Sequence, residues 1–279
     1  MDPPEATALG LLRAGAVRVL GRMPGASNET LLTVVEGSSA GRRLALRAVL
    51  KTRSGERALP DFPPGTLSHR EVAAYELSRR LGLDVVPPTV WRPDLDGSLQ
   101  AYVETDPESD PAVVLSPPGG LPRTLAPVLR AQLENGAEVV LAHSLSPAVR
   151  RLALFDVLID NADRKGGHIL TGAWLCGPEL PAASRVWGID NGLSFNTAPT
   201  LRTVLWGFAG SALTEEERAA VSAAAALAGG ESEAGGAELA GHLSAPELAS
   251  LRARAEALLR AGHLPLPPAD RRAVPWPPL

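Results

Sequence analysis

The sequence predicts an α+β fold in which a strand-rich first part gives way to a largely helical second part, and three observations carry this. Leu31 to Glu36 and Leu44 to Lys51 are apolar-rich strand patterns joined by the short Gly37-Ser38-Ser39-Ala40-Gly41 linker. Ser68 to Leu81, ended by Gly82, reads as one helix with an inward stripe. Thr214-Glu215-Glu216-Glu217 reads as a capped helix start and the run Ala245 to Ala261 as a further helix near the end of the chain. Asp106 to Pro122, rich in Asp, Pro and Gly, separates the parts and predicts two lobes, residues 9–105 and 123–279, with 106–122 as the boundary.

In order along the chain, Leu9 to Leu20 reads as a short helix or an approach to a strand, and Gly21 to Asn28 as a turn-rich loop. The Gly37–Gly41 linker matches a Gly-x-Ser-x-Gly nucleophile elbow in letters only. An elbow needs a following helix, and here a strand pattern resumes, so a plain hairpin is predicted. Thr52 to Thr66 is irregular, and Val85 to Val90 and Ser98 to Glu104 read as strands. A mixed helical region runs to Ile159, followed by a loop at Asp160 to Gly167 and two short strands, His168 to Thr171 and Arg185 to Ile189. An Ala/Gly spacer near Gly229 to Gly236 and a Pro-rich tail complete the chain.

With 279 residues, 45% hydrophobic, and a net charge of −4, the chain has the composition of a soluble globular protein. Its 27 basic residues against 31 acidic ones give no nucleic-acid groove. No apolar run approaches the ~20 residues of a membrane span, and the N-terminus lacks a signal-peptide pattern, so a cytoplasmic protein is expected. The lone Cys176 excludes an intrachain disulfide and a cysteine zinc cluster. The only lysines are Lys51 and Lys165, neither of which follows glycine, which rules out a Walker A loop. In a chain where arginine is so abundant, the positions of two lysines and five asparagines are worth locating.

By the period-two rule Ala45, Arg47, Val49 and Lys51 share one strand face. A branched residue two before a strand lysine can roof a nucleotide base while the ammonium reaches phosphates. Glu71 extends the stripe of Ala74, Leu77, Ser78 and Leu81, where it can pair with that lysine; equally, Ser68-His69-Arg70-Glu71 is a Ser-x-x-Glu capping box. The densest segment runs Asp160-Asn161-Ala162-Asp163-Arg164-Lys165-Gly166-Gly167-His168, and a second acidic turn, Asp190-Asn191-Gly192, ends the later strand. If the two short strands pair as a hairpin, His168 and Asp190 become neighbours with Asp163 one loop away. Hard divalent cations accept so few protein ligands when phosphates complete the shell. A two-carboxylate glycosidase built on Asp163 and Asp190 would leave Lys51 and Glu71 without a role.

The order of a flexible loop, Lys51, Glu71, a boundary, Asp163-Arg164-Lys165-Gly166-Gly167-His168 and Asp190-Asn191-Gly192 resembles the phosphatidylinositol 3-/4-kinase-related proteins, in particular small actinobacterial ones. Similar layouts occur in HipA-type kinases and secretory casein kinases, and the resemblance spans Gly21 to Leu213. It implies a bilobal protein-kinase-like fold and an ATP-dependent phosphotransferase using Mg²⁺ or Mn²⁺ on an unidentified protein or small-molecule hydroxyl. It further implies that Lys51 contacts phosphates, Glu71 positions Lys51, Asp163 orients or deprotonates the acceptor, and Asp190 holds the metal. Ser27 and Asn28 would lie in the loop over the phosphates, Val49 over the base, and Gln100 to Glu104 would lead to the hinge facing adenine. His168 stands where such kinases carry a metal-binding asparagine, and Lys165 where histidine is familiar. A nucleotide-binding pseudokinase and a protein adenylyltransferase are the alternatives with the same residues.

Overall fold

A computed structural model describes residues 3–25, 28–39, 41–174, 185–230 and 233–279. The chain opens with helix α1 (Pro3–Ala14) and strands β1 (Ala16–Arg22), β2 (Thr30–Ser39) and β3 (Arg42–Thr52). Leu9 to Leu20 therefore contains both a helix and a strand, broken at Gly15, whose amide donates to the Leu11 carbonyl at 2.7 Å. β2 and β3 form the plain antiparallel hairpin that the linker predicts, with Ser38 opposite Arg43 and Ser39 opposite Arg42.

Helix α2 (Leu67–Arg80) follows, then β4 (Thr89–Arg92), β5 (Gly97–Ala101) and β6 (Val103–Thr105). Gly82 adopts φ +65°, a left-handed conformation that stops the helix without a Cβ clash. Val85 and Val86 are buried but lie before β4 rather than in it, since the Pro87-Pro88 pair withdraws two backbone donors. The predicted strand Ser98–Glu104 is divided at Tyr102. β5 belongs to a five-stranded antiparallel sheet of order β1-β2-β3-β5-β4, and β6 leaves it for a second sheet.

The largest departure from the sequence reading lies after this. Residues 113–144 are not helical but form β7 (Val113–Ser116), β8 (Leu125–Gln132) and β9 (Glu138–Ser144), a three-stranded sheet of order β7-β9-β8. Pro127 is tolerated because it sits at a register shift in β8, where a missing N–H does not interrupt the ladder. β7 lies inside the segment 106–122. Helix α3 (Pro147–Ile159) follows, N-capped by Ser146, and leads through the Asp160 loop to β10 (Ile169–Trp174) and β11 (Arg185–Gly188). These two strands pair antiparallel, with Ile169 opposite Gly188, and β10 also pairs with β6. Gly172 is required there, because a Cβ would run into the Glu104 backbone of β6.

The chain ends in helices α4 (Glu215–Ala228), α5 (Glu233–Ala240) and α6 (Ala245–Ala261). Thr214 and Glu217 form the capping box at the start of α4. The second half of the Ala/Gly spacer, from Glu233, lies in a short helix, α5, rather than in a linker. The protein is thus a mixed α+β molecule with antiparallel sheets and a helical C-terminal part. One apolar cluster joins the sheets to the helices through Leu12, Leu46, Leu99, Phe155, Leu158, Val221 and Leu251. Each fully buried side chain of this kind stabilises the fold by about 1.5–3 kcal/mol. No helix among the described residues is long and apolar enough to cross a membrane.

Candidate functional site

The alternation in β3 sets the first component. Leu46, Ala48 and Leu50 are buried in the core, while Ala45, Arg47, Val49 and Lys51 occupy the more open face. Opposite Val49 stand Leu32 on β2 and Gln100 on β5. Antiparallel partners point to the same side, so Leu32, which the sequence did not single out, adds to the apolar surface beside Val49.

Lys51 ends that face, its side chain only 19% exposed and its ammonium between two carboxylates. One is Glu71 of α2, and the other is Asp190, whose Oδ1 lies 2.7 Å away. Burial opposes the charged ammonium, but the two carboxylates outweigh it and raise the Lys51 pKa. The same attraction, led by Lys51, holds Asp190 well below the usual carboxylate range against the opposing effect of burial.

Glu71 is not the capping residue of α2. Glu56 takes that role from a distant turn: its carboxylate accepts from Leu67 N at 3.2 Å, and from Ser68 N and Ser68 Oγ at 2.8 and 2.7 Å. Glu71 is thereby left to Lys51 and to two backbone donors, Asn191 N at 3.0 Å and Gly192 N at 3.2 Å. One carboxylate thus fixes both the strand lysine and the turn after Asp190.

Asp190 sits at the end of the β10–β11 hairpin with φ +57°, and 50% of its side chain is open. Ile189 N donates to the His168 carbonyl at 3.0 Å, which brings Asp190 and His168 together as the hairpin register predicts. His168 Nε2 lies 3.4 Å from Asp190 Oδ2, and His168 Nδ1 lies 2.9 Å from the Asp163 carbonyl. A carbonyl can only accept, so Nδ1 carries a proton. Burial, aided by Arg164, lowers the His168 pKa despite Asp190. In the neutral ring, Nε2 is then a bare acceptor facing a carboxylate oxygen. Two acceptors face to face favour a cation between them.

Asp163 ion-pairs with Lys165, Nζ to Oδ2 at 3.0 Å, and its amide donates to Asn161 Oδ1 at 2.9 Å. Between them Arg164 turns the other way and is 0% exposed. Its Nε donates to both oxygens of Asp156 at 3.0 and 3.1 Å, Nη1 to the Ile189 carbonyl at 2.6 Å, and Nη2 to Asn191 Oδ1 at 2.6 Å. Asp156, on α3, also accepts from Thr203 Oγ1 at 3.2 Å. Burial raises the Asp156 pKa, with Arg164 the main opposing influence. This network carries the Asp163 loop and the Asp190 turn as one unit, and neither Asp156 nor Arg164 was given a role from the sequence.

The remaining predicted residues lie further out. Gln100 is buried on the Val49 side, its Nε2 donating to Thr89 Oγ1 at 2.9 Å. Glu104 ion-pairs with Arg47, whose Nε is 2.6 Å from Glu104 Oε1 and whose guanidinium lies 4.8 Å from the Tyr102 ring centroid. Asn28 holds the loop edge by accepting from Arg57 N at 2.9 Å. Ser27 and Cys176 lie outside the described residues. The structure therefore gathers Lys51, Glu71, Asp163, His168 and Asp190 into one cluster, with Val49 and Gln100 side by side on the sheet face that bears Lys51. Among the described residues no group of three or more His, Cys, Asp or Glu has an arrangement suited to holding a metal by itself.

The fold and cluster define a mixed α+β protein in which the Asp190 turn and helix α2 meet at a half-buried strand lysine, with the Asp163 loop beside them. No protein-family profile matches the chain. It is 44% identical over 278 residues to Protein Rv2133c of Mycobacterium tuberculosis, covering 96% of this chain and 94% of the relative, and it belongs to the same family as that protein.

Proposed function

We propose that the protein is an ATP-dependent phosphotransferase of bilobal, protein-kinase-like architecture, related to the phosphatidylinositol 3-/4-kinase-like group. In this reading residues 9–105 form the nucleotide lobe, 106–122 the boundary and 123–279 the second lobe. The observation that carries it is the joint engagement of Lys51 by Glu71 and Asp190, from β3, α2 and the turn that follows β11. A buried ammonium at the end of an apolar strand face suits phosphates below and a base beside Val49 and Leu32.

The donor set fits a divalent cation only in part, since Asp190 and His168 leave most of a coordination shell to phosphate and water, as suits Mg²⁺ or Mn²⁺ in nucleotide sites. Support comes from the two facing acceptors, Asp190 Oδ2 and His168 Nε2. An imidazole in place of an amide favours Mn²⁺ more than a purely oxygen site would. A cation held there would neutralise phosphate charge.

The chain's own residues would do the rest. Lys51, released from Asp190, contacts phosphate while Glu71 keeps it in line. Asp163 orients the acceptor hydroxyl and takes its proton as the oxygen attacks the γ-phosphorus, ADP leaving on the opposite side. Lys165, paired with Asp163, is placed to meet the transferring phosphoryl group. The acceptor is a hydroxyl of a protein or small molecule.

The test is incubation of the protein with ATP labelled at the γ or α phosphate, with Mg²⁺ or Mn²⁺. Transfer from γ is expected; transfer from α would identify an adenylyltransferase, and binding without transfer a pseudokinase. Asp190→Ala is expected to remove the metal-dependent thermal shift given by ATP. Asp163→Ala should keep that shift and lose turnover, and an Asp190→Ala protein with the full shift would sink the metal assignment.

A further inference from the structure

Next to Glu71 on α2 is Arg70, 1% exposed and outside the chemistry just described. Its Nη2 donates to the Glu247 carboxylate and its Nη1 to the Ser194 carbonyl. Nε reaches Thr66 Oγ1 at 3.3 Å, and the guanidinium lies 4.9 Å from the Phe62 ring centroid. Glu247 is itself occupied: its Oε2 accepts from Ser244 N at 2.7 Å and Ser244 Oγ at 2.8 Å, the capping box that starts α6. One guanidinium thus joins α2, the segment after Asp190 and the N-terminus of α6.

Two further contacts lie along the same helix. His69 Nδ1 meets His242 Nδ1 at 3.0 Å in the α5–α6 connection, and Arg80 ion-pairs with Glu238 of α5. Helix α2 is therefore fastened to the C-terminal helices from its first turn to its last. Burying an ion pair costs desolvation that the attraction between its members often only balances, so such a pair is a poor source of stability but a good selector of one arrangement. The arrangement selected here puts Glu71 against Lys51 and the amides of Asn191 and Gly192. Because successive helix residues are ~100° apart, a small rotation of α2 would withdraw that carboxylate from all three.

We infer that Arg70 is a positioning residue which, paired with Glu247, locks helix α2 to the C-terminal helices so that Glu71 holds Lys51 and the Asn191–Gly192 turn in one arrangement without nucleotide. Its consequence for turnover rests on the phosphotransferase reading; the lock itself does not.

The experiment uses the full chain carrying R70M together with E247Q, which removes both charges while the substituted amide can still cap α6 through Ser244. Amide hydrogen exchange of Asn191 and Gly192 is measured by NMR without nucleotide, alongside urea unfolding. The double variant is expected to unfold near the wild-type midpoint, yet to exchange these two amides about tenfold faster, a local opening rather than a global one. With ATP, KM should rise more than kcat falls, and Arg70→Lys should restore part of the loss. If the double variant does not fold, E247Q alone provides the measurement, with about a threefold acceleration expected from weakening a charge-assisted bond. Unchanged protection of both amides in a folded variant overturns the lock. Faster exchange in the variant, combined with a wild-type protein that never turns over ATP, leaves the lock standing and removes the phosphotransferase reading instead.

Discussion

The loop from Asp160 to His168 has two sides that differ in kind. Asp163, Lys165 and His168 face outward with Lys51 and Asp190, the Lys51–Asp190 and Lys165–Asp163 ion pairs being partly open and His168 Nε2 lying against Asp190. Arg164, between two of them, faces inward with Asp156, Asn161 and Asn191, all 0% exposed. The outer Lys165–Asp163 pair can change partners, because water already reaches both members and screening makes the pair cheap to break. The inner groups cannot, because a buried charge without its partner carries its full desolvation cost. One short loop thus holds a changeable surface by anchoring Asn161 and Arg164 in a fixed polar core.

The largest effect is expected from breaking the inner side. Arg164→Met leaves Asp156 buried without its counter-charge and should lower the unfolding free energy by about 3–5 kcal/mol, read by urea denaturation. A loss below ~1 kcal/mol would show that Asp156 is neutral and that the inner network is not ionic.

Acid should act in the same direction and more gradually. His242 is held down to about 4 from 6.5, by burial first and by His69 second, and burial also lowers His69. The unfolded chain therefore binds more protons between pH 6.5 and 4, so stability is complete above that window and is lost as pH falls through it. Melting temperatures measured from pH 7 to 4 should decline, and His242→Gln should flatten the decline. An unchanged slope would mean that the His69–His242 contact does not exclude a second proton.

Glu56 sharpens the comparison at the N-terminus of α2, since it is a partly exposed group with a buried task. Glu56→Ala removes the acceptor for two helix amides and a hydroxyl and should cost about 1–2 kcal/mol, the upper part of the range for a helix N-cap. Ser68→Ala, which would matter if the local capping box formed, should cost less.

How much of this was legible depends on how local each cause is. The Lys51 face followed from strand alternation, and the meeting of His168 and Asp190 from reading β10 and β11 as a hairpin; both need only a few residues. Asp156 was not legible, because its partner Arg164 is reached across the turn that follows α3 and no spacing rule joins a helix residue to a loop residue in that way. Ser68-x-x-Glu71 is a well-formed local motif that tertiary structure overrode, Glu56 supplying the cap and freeing Glu71 for Lys51. Residues 125–144 read in sequence as part of a mixed helical region, although Asn135-Gly136, with Gly136 at φ +81°, is a turn signal that could have revealed the β8–β9 hairpin. The phosphotransferase proposal rests on a resemblance in motif order rather than on any local rule, since it draws on five residues from four separate elements.

The smallest effect tests the outer side directly. Asp163 and Lys165 form a pair with side chains 25% and 21% exposed, and an ion pair so placed contributes ~0–1 kcal/mol. Lys165→Ala should therefore leave the unfolding free energy within ~0.5 kcal/mol of wild type. Under the phosphotransferase proposal, loss of the Lys165 charge would nevertheless lower kcat by a factor of ~10². Stability and rate would then separate across neighbouring residues, Arg164 governing the first and Lys165 the second. A Lys165→Ala protein that loses stability as Arg164→Met does would place Lys165 in the inner network and remove the distinction between the two sides of the loop.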